Sequence, residues 1–113
     1  MKNIDILRHI KEDIDDIISF TSDIDFERFA SEPIIRKAVC MSLINIGELT
    51  KSLSETFKKN HNNIPWKNIT GLRDVTAHKY HTLNLDIVWS VVIHEIPKLN
   101  EFIVTELLES NKP

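Results

Sequence analysis

The run Ile87-Val88-Trp89-Ser90-Val91-Val92-Ile93 decides the fold. β-branched and aromatic residues fill it, and on propensity alone it suits a strand. Its continuation points the other way. Apolar side chains recur at helical spacing through Leu85, Val88, Trp89, Val92, Ile96, Leu99, Phe102, Ile103 and Leu107, and no glycine interrupts the pattern before Leu108. That periodicity predicts an amphipathic helix. Asn84 can cap it, and Asp86 falls in its first turn, where the helix dipole favours a carboxylate. Pro97 lacks an N–H and its ring crowds the preceding turn, so this helix is expected to kink or divide there.

Upstream, residues 3–21 place Ile4, Leu7, Ile10, Ile14, Ile17 and Ile18 at steps of three and four, with Lys11, Glu12, Asp13, Asp15 and Asp16 on the opposite side. This predicts a first helix. Ser22–Asp25 breaks it, and a short helical turn over Phe26–Ala30 is expected to tuck Phe26 and Phe29 against the core. Ser31 and Pro33 open a second long helix, predicted to run to about Asn60 on a stripe of Ile35, Val39, Leu43, Ile46, Leu49, Leu53 and Phe57. Between Ala38 and Gly47 apolar residues occur all round, so this helix needs a second buried face. Gly47 costs about 1 kcal/mol in a helix interior relative to alanine, and the expected return is close approach of another helix. Asn60–Pro65 ends the second helix, and a third starts near Pro65-Trp66.

The predicted architecture is therefore all-α: one domain over residues 1–113, an antiparallel bundle of about four main helices. With two glycines and four prolines in 113 residues, 42% of them apolar, the chain has too few turn signals for a β-sandwich. The surplus apolar faces of the second and fourth helices suggest a symmetric dimer. Cys40, the lone cysteine, sits in an apolar run and implies a buried thiol in a reducing compartment. No signal peptide or membrane-spanning run is evident, and a cytoplasmic location is expected.

The formal net charge of −3 is unevenly spread. Residues 1–32 carry nine acids and four bases, residues 33–81 eight bases and three acids, and residues 82–113 five acids and two bases. The positive middle third surrounds the chemically densest stretch, Arg73-Asp74-Val75-Thr76-Ala77-His78-Lys79-Tyr80, and a local field of that sign attracts a polyanion whatever the total charge. His78 can move a proton near neutral pH, and Arg73 can hold a phosphate bidentately. An imidazole and a guanidinium without a metal constellation suit phosphodiester chemistry; in RNA, the 2′-hydroxyl supplies the nucleophile. His9, His61, His81 and His94 show no metal-ligand spacing, so neither metal nor cofactor is expected. On an ideal helix Arg73 and His78 lie about 140° apart, whereas Asp74 and His78 share a face. A joint site then requires the helix to end inside the motif or a second subunit to complete it. Taken singly, His78 beside Asp74 is more often a satisfied surface or core histidine, and Tyr80 a core aromatic.

The stretch matches the R-x4-H-x-Y pattern of the HepT-like branch of the HEPN superfamily, and the chain resembles that family over nearly its whole length. Ile46-Gly47-Glu48 with Lys51-x-Leu53-Ser54, Ile64-Pro65-Trp66 with Ile69, and Leu85-Asp86-Ile87-Val88-Trp89 ahead of Ile96-Pro97 all look like it. The resemblance implies a dimerising helical bundle and a metal-independent ribonuclease, the toxin of a toxin–antitoxin pair, with Arg73 and His78 in the catalytic positions. The implied partner is a minimal nucleotidyltransferase of the MntA type, able to silence the toxin by transferring AMP to Tyr80, within a larger hetero-oligomer. Asp74 stands where the family often has asparagine or another polar residue. A carboxylate there bears on the charge of His78 and on RNA approach. Lys79, Lys67 and Lys51 are candidates for guiding RNA. The rival reading is a catalytically inactive dimeric subunit that binds the nucleotidyltransferase. It forms a stable complex but degrades no RNA.

Overall fold

The computed structural model describes residues 1–73 and 84–112. All of the regular structure among these residues is helical. α1 spans Asn3–Thr21, α2 Phe26–Ser31, α3 Pro33–Lys51, α4 Glu55–Asn60 and α5 Trp66–Thr70. Beyond the undescribed segment come α6 (Leu85–Ser90), a π-helical turn over Val91–Glu95, and α7 (Ile96–Ser110).

The first helix forms where its apolar periodicity puts it. Ile6, Leu7, Ile10, Ile14 and Ile17 are buried. Ile18, placed in the same stripe by its spacing, stands 41% exposed at the edge of that face. Asp25 caps α2 by accepting from the Arg28 N–H, which directs Phe29 into the core and sets its ring 5.1 Å from that of Trp89 on α6.

α3 is the central element. It packs against α1, α2 and α5, and three neighbours explain why its apolar residues are not confined to one stripe. Val39, Cys40, Leu43, Ile46 and Gly47 are buried, while Met41 remains 60% exposed. Burial also pushes the Cys40 thiol above its ordinary pKa, as suits a structural rather than reactive cysteine.

The second long helix stops earlier than its apolar pattern predicts. α3 ends at Lys51 and α4 starts at Glu55, so the expected run to Asn60 is broken at 52–54. The cause is local capping plus one long-range contact. The Ser54 hydroxyl accepts from the Phe57 N–H and from the Asn3 amide, while the Ser54 N–H donates to Asn3 Oδ1. These bonds satisfy groups that a continuous helix would have paired internally. Leu53 stays buried and Phe57 still packs on the core, so the break costs little apolar contact.

The run that opened the sequence reading is helical. Asn84 accepts from the Asp86 N–H and starts α6. The expected irregularity at Pro97 is present: the run is divided into α6, a π-helical turn and α7, with Pro97 in the first turn of α7. The π-helical turn precedes it, and the Ile96 N–H reaches back to the Val91 carbonyl. This wider turn has a packing consequence. Successive steps of four, Val88 to Val92 to Ile96, drift about 80° around an ideal α-helix, and a wider turn opposes that drift. All three side chains are buried, as are Leu99 and Ile103 beyond them.

Gly47 lies about one turn before the end of α3, where no side chain fits. A Cβ there would lie 2.8 Å from the Arg73 backbone nitrogen, 3.0 Å from the Thr70 carbonyl oxygen and 3.1 Å from the Arg73 Cβ. Gly47→Ala gains about 1 kcal/mol in helix propensity but forces backbone apart, an overpacking cost of about 1–3 kcal/mol. A net fall in the urea midpoint is expected.

Asp13 supplies a pH test of the α1–α3 contact. Burial raises its carboxyl above the ordinary 3.8, opposed by a hydrogen bond from Asn45, with Asp16 and Glu12 adding to the rise and His9 lowering it. Its ionisation therefore disfavours the fold as pH rises through the window above 3.8. Asp13→Asn, whose amide oxygen can still accept from Asn45, is expected to raise the melting temperature at pH 7 and to lose that advantage at acid pH, as followed by thermal unfolding across pH.

Candidate active site

Arg73 is the one residue of the R-x4-H-x-Y stretch that the structure describes. Asp74, His78, Lys79 and Tyr80 lie outside the described residues, so the expected roles of Asp74 beside His78, and of Tyr80, fall there too. Arg73 follows α5, and its position is set by core packing rather than by the motif itself. α5 buries Trp66 and Ile69, the Gly71 N–H closes the helix on the Lys67 carbonyl, and the chain then passes over Gly47.

Glu48, the next residue along α3, meets the arginine. Arg73 Nη1 donates to Glu48 Oε1 at 3.1 Å, with the two side chains 30% and 55% exposed. The close backbone passage at one residue and the ion pair at the next thus fix both ends of the Arg73 side chain. Sequence reasoning treated Glu48 only as part of a motif, since its partner is 25 positions away.

Arg73 borders a cleft of about 620 Å³ lined by Glu55, Lys58, Lys59, Asn62, Ile64, Trp66, Lys67, Thr70 and Gly71. Among the described residues, Lys58, Lys59 and Lys67 together with Arg73 make four cationic groups at the cleft, against the one carboxylate of Glu55. Lys67, expected to guide RNA, is in this lining; Lys51, given the same role, sits exposed in the last turn of α3 and is not. Lys58 and Lys59 were not singled out from the sequence. They reach the cleft because α3 breaks and α4 turns, which the apolar pattern did not foretell.

The two walls of the cleft are joined rigidly. The Trp66 indole N–H donates to the His61 carbonyl at 3.0 Å, and the Ile64 N–H donates to the same carbonyl. The His61 ring lies 4.6 Å from that of Phe57 and 5.1 Å from that of Phe102. His61 also faces Glu106 of α7 at 3.8 Å. This histidine is thereby accounted for as part of the scaffold.

Among the described residues no three histidine, cysteine or carboxylate side chains converge in a way that could hold a metal ion. Nor, among them, is any helix long and apolar enough to cross a membrane. The arrangement offers a guanidinium held at the end of a cationic cleft, suited to holding a phosphate.

Comparison with known proteins agrees in direction. A protein of Caldanaerobacter subterraneus subsp. tengcongensis, provisionally named an RNase, is 38% identical over 106 residues, covering 94% of each chain. A Thermococcus cleftensis protein, provisionally named ribonuclease HepT, is 36% identical over 95 residues, covering 84% of this chain and 86% of the relative. In Methanocaldococcus jannaschii, a protein named as a gamma-glutamylcyclotransferase and, provisionally, an RNase is 37% identical, with the match covering 94% of this chain and 49% of the relative. No solved structure matches the chain. The family match extends over residues 10–106, from the first helix to the last, and the chain belongs to the ribonuclease HepT-like family.

Proposed function

We propose that the protein is a metal-independent endoribonuclease, the toxin of a toxin–antitoxin pair, with Arg73 and His78 as its catalytic residues. The observation that carries the reading is the placement of Arg73, held by Glu48 at the end of a cleft lined by Lys58, Lys59 and Lys67. Membership of the ribonuclease HepT-like family supports it, as do relatives provisionally named as ribonucleases.

In the proposed reaction the RNA 2′-oxygen attacks the adjacent phosphorus and the bond from phosphorus to the 5′-oxygen breaks. One product ends in a 2′,3′-cyclic phosphate and the other in a 5′-hydroxyl. The nucleophile belongs to the substrate, so the chain need only bind, stabilise charge and move protons. Arg73 holds the nonbridging oxygens and offsets the charge that grows on them in the transition state. His78 takes the proton from the 2′-hydroxyl or gives one to the leaving oxygen. Lys67, Lys79 and Lys51 steer the strand, and Asp74 sets the charge state of His78. Glu48 orients the guanidinium. In the reading proposed here, two copies assemble the site, and the apolar surface left at Met41, Ile87 and Ile93, 60%, 57% and 45% exposed, supplies material for that contact.

The same reading gives the protein an MntA-type nucleotidyltransferase as antitoxin. Tyr80 is the acceptor: its oxygen attacks the α-phosphorus of ATP, pyrophosphate leaves, and the added AMP puts an anion into the cationic site.

Purified protein is expected to cleave single-stranded RNA in the presence of EDTA. His78→Ala should lower the rate by about 10²–10⁴ and Arg73→Ala by about 10²–10³. Cleavage that survives His78→Ala would overturn the assignment of His78, whereas no cleavage alongside a stable complex with the nucleotidyltransferase would favour the inactive-subunit reading. Glu48→Gln separates orientation from stability. An ion pair this exposed contributes about 0.2–1 kcal/mol, so urea unfolding should change little while kcat falls and KM holds.

A further inference from the structure

We infer that the α4–α5 wall of the cationic cleft is a binding site for the sugar–phosphate backbone of single-stranded RNA. Lys58, Lys59 and Lys67 there take phosphates beyond the one at Arg73. The inference rests on the ribonuclease reading for its ligand and goes beyond it in assigning α4 a role.

Charge makes the first argument. Lys59 and Lys67 are exposed and make no ion pair among the described residues. Lys58 is largely covered, its side chain 16% exposed, and reaches Glu55 only at 3.8 Å. Three ammonium groups and the Arg73 guanidinium thus line one concavity with Glu55 as the carboxylate among them. Like charges gathered on a concave surface raise the local potential and concentrate a polyanion there.

The second argument is preorganisation. α4 and α5 are tied by the Trp66 indole bond to the His61 carbonyl and by ring contacts of Phe57 with His61, Trp66 and Phe102. The lysine stems therefore rise from fixed backbone, which lowers the ordering cost of binding.

The chemistry of the lining also says what is read. Trp66 is 8% exposed and its N–H is already bonded, so it is no stacking platform for a base. Asn62 brings the one side-chain amide to the cleft. The wall recognises phosphates and leaves base identity largely unread. A protein partner with an acidic surface could meet the same charges, but the concavity and its continuity with Arg73 favour a strand threaded past the arginine.

The test is fluorescence anisotropy with 2′-O-methyl oligonucleotides, which lack the nucleophile and cannot be cleaved. The full chain, Lys59→Ala, Lys59→Ala/Lys67→Ala and Lys58→Gln are compared, with Lys37→Ala, exposed on α3, as control. Binding should weaken several-fold with each cleft substitution, and the slope of log affinity against log salt should shrink by about 0.7 per lysine removed. Oligonucleotides of different sequence should respond alike, and Lys37→Ala should bind as the parent does. Because Lys59 is exposed, its substitution tests the site without risk to the core.

Cleft variants that bind like the parent overturn the inference; if His78→Ala still abolishes cleavage in the same preparations, the ribonuclease reading stands. Lysine-dependent binding by a protein that never cleaves keeps the site and removes that reading. Unchanged RNA binding, with loss of the complex with a nucleotidyltransferase on the same substitutions, assigns the wall to a protein partner and overturns the inference.

Discussion

The structure depends on one close passage, where α3 meets the end of α5 at Gly47. The spacing there is too short for any side chain: a Cβ would sit 2.8 Å from the Arg73 nitrogen. Glycine is a poor choice for a helix interior on entropy alone, so its presence reflects the neighbour rather than the helix. By admitting that backbone, Gly47 lets α3 serve three partners, α1, α2 and α5, at once. It also places the residue after it, Glu48, beside the Arg73 guanidinium. Core packing and the candidate site are thus the same contact seen from two sides. Pressure on the core at this point is transmitted to the arginine.

A second constraint operates at the far end. Pro97 removes an N–H from the longest helical run, and the π-helical turn at Val91–Glu95 absorbs the mismatch. The buried line Val88, Val92, Ile96, Leu99, Ile103 continues through it. The irregularity falls inside that line without breaking it, and the step of three from Ile96 to Leu99 keeps the later positions on the same face. Trp89, just before it, closes over Phe29 and Phe26, so α2 is held by the same segment.

Periodicity was legible wherever one helix faced one core. α1 and α2 begin where their apolar spacing begins, and the Ile87–Ile93 run is helical because its stripe continues past it. The α3 break was not legible. Leu53 and Phe57 keep helical spacing across it, and what stops the helix is Ser54 bonding to Asn3, 51 positions away. Ser54 three residues before Phe57 was a capping signal, but an apolar stripe outweighs a single serine in any local reading. The site divides in the same manner. Arg73 and His78 were both singled out from residue type and neighbours, while the resemblance put them in catalytic positions and supplied the role of Tyr80. Glu48 as its partner, and Lys58 and Lys59 as cleft residues, depend on contacts between elements distant in sequence.

The pairing of Arg73 with Glu48 poses an electrostatic question for the proposed function, since a carboxylate beside an arginine that is to hold a phosphate repels the phosphate. Two features decide it. Glu48 accepts from one terminal nitrogen, and a guanidinium presents five donors in a plane, so an ion pair on one nitrogen orients the group without using it up. Glu48 is also 55% exposed, where water screens its charge at the range of a bound phosphate. A phosphate on the same guanidinium would lie within a Debye length of that carboxylate, so exposure to water weakens the repulsion without abolishing it, while the hydrogen bond keeps the orientation. The remaining deficit in field is offset along the cleft by Lys58 and Lys59 of α4 and Lys67 of α5. An oriented arginine and a lysine-lined wall are therefore complementary. In the proposed reaction the carboxylate sets where one phosphate sits, and the lysines restore the attraction that brings the strand to it.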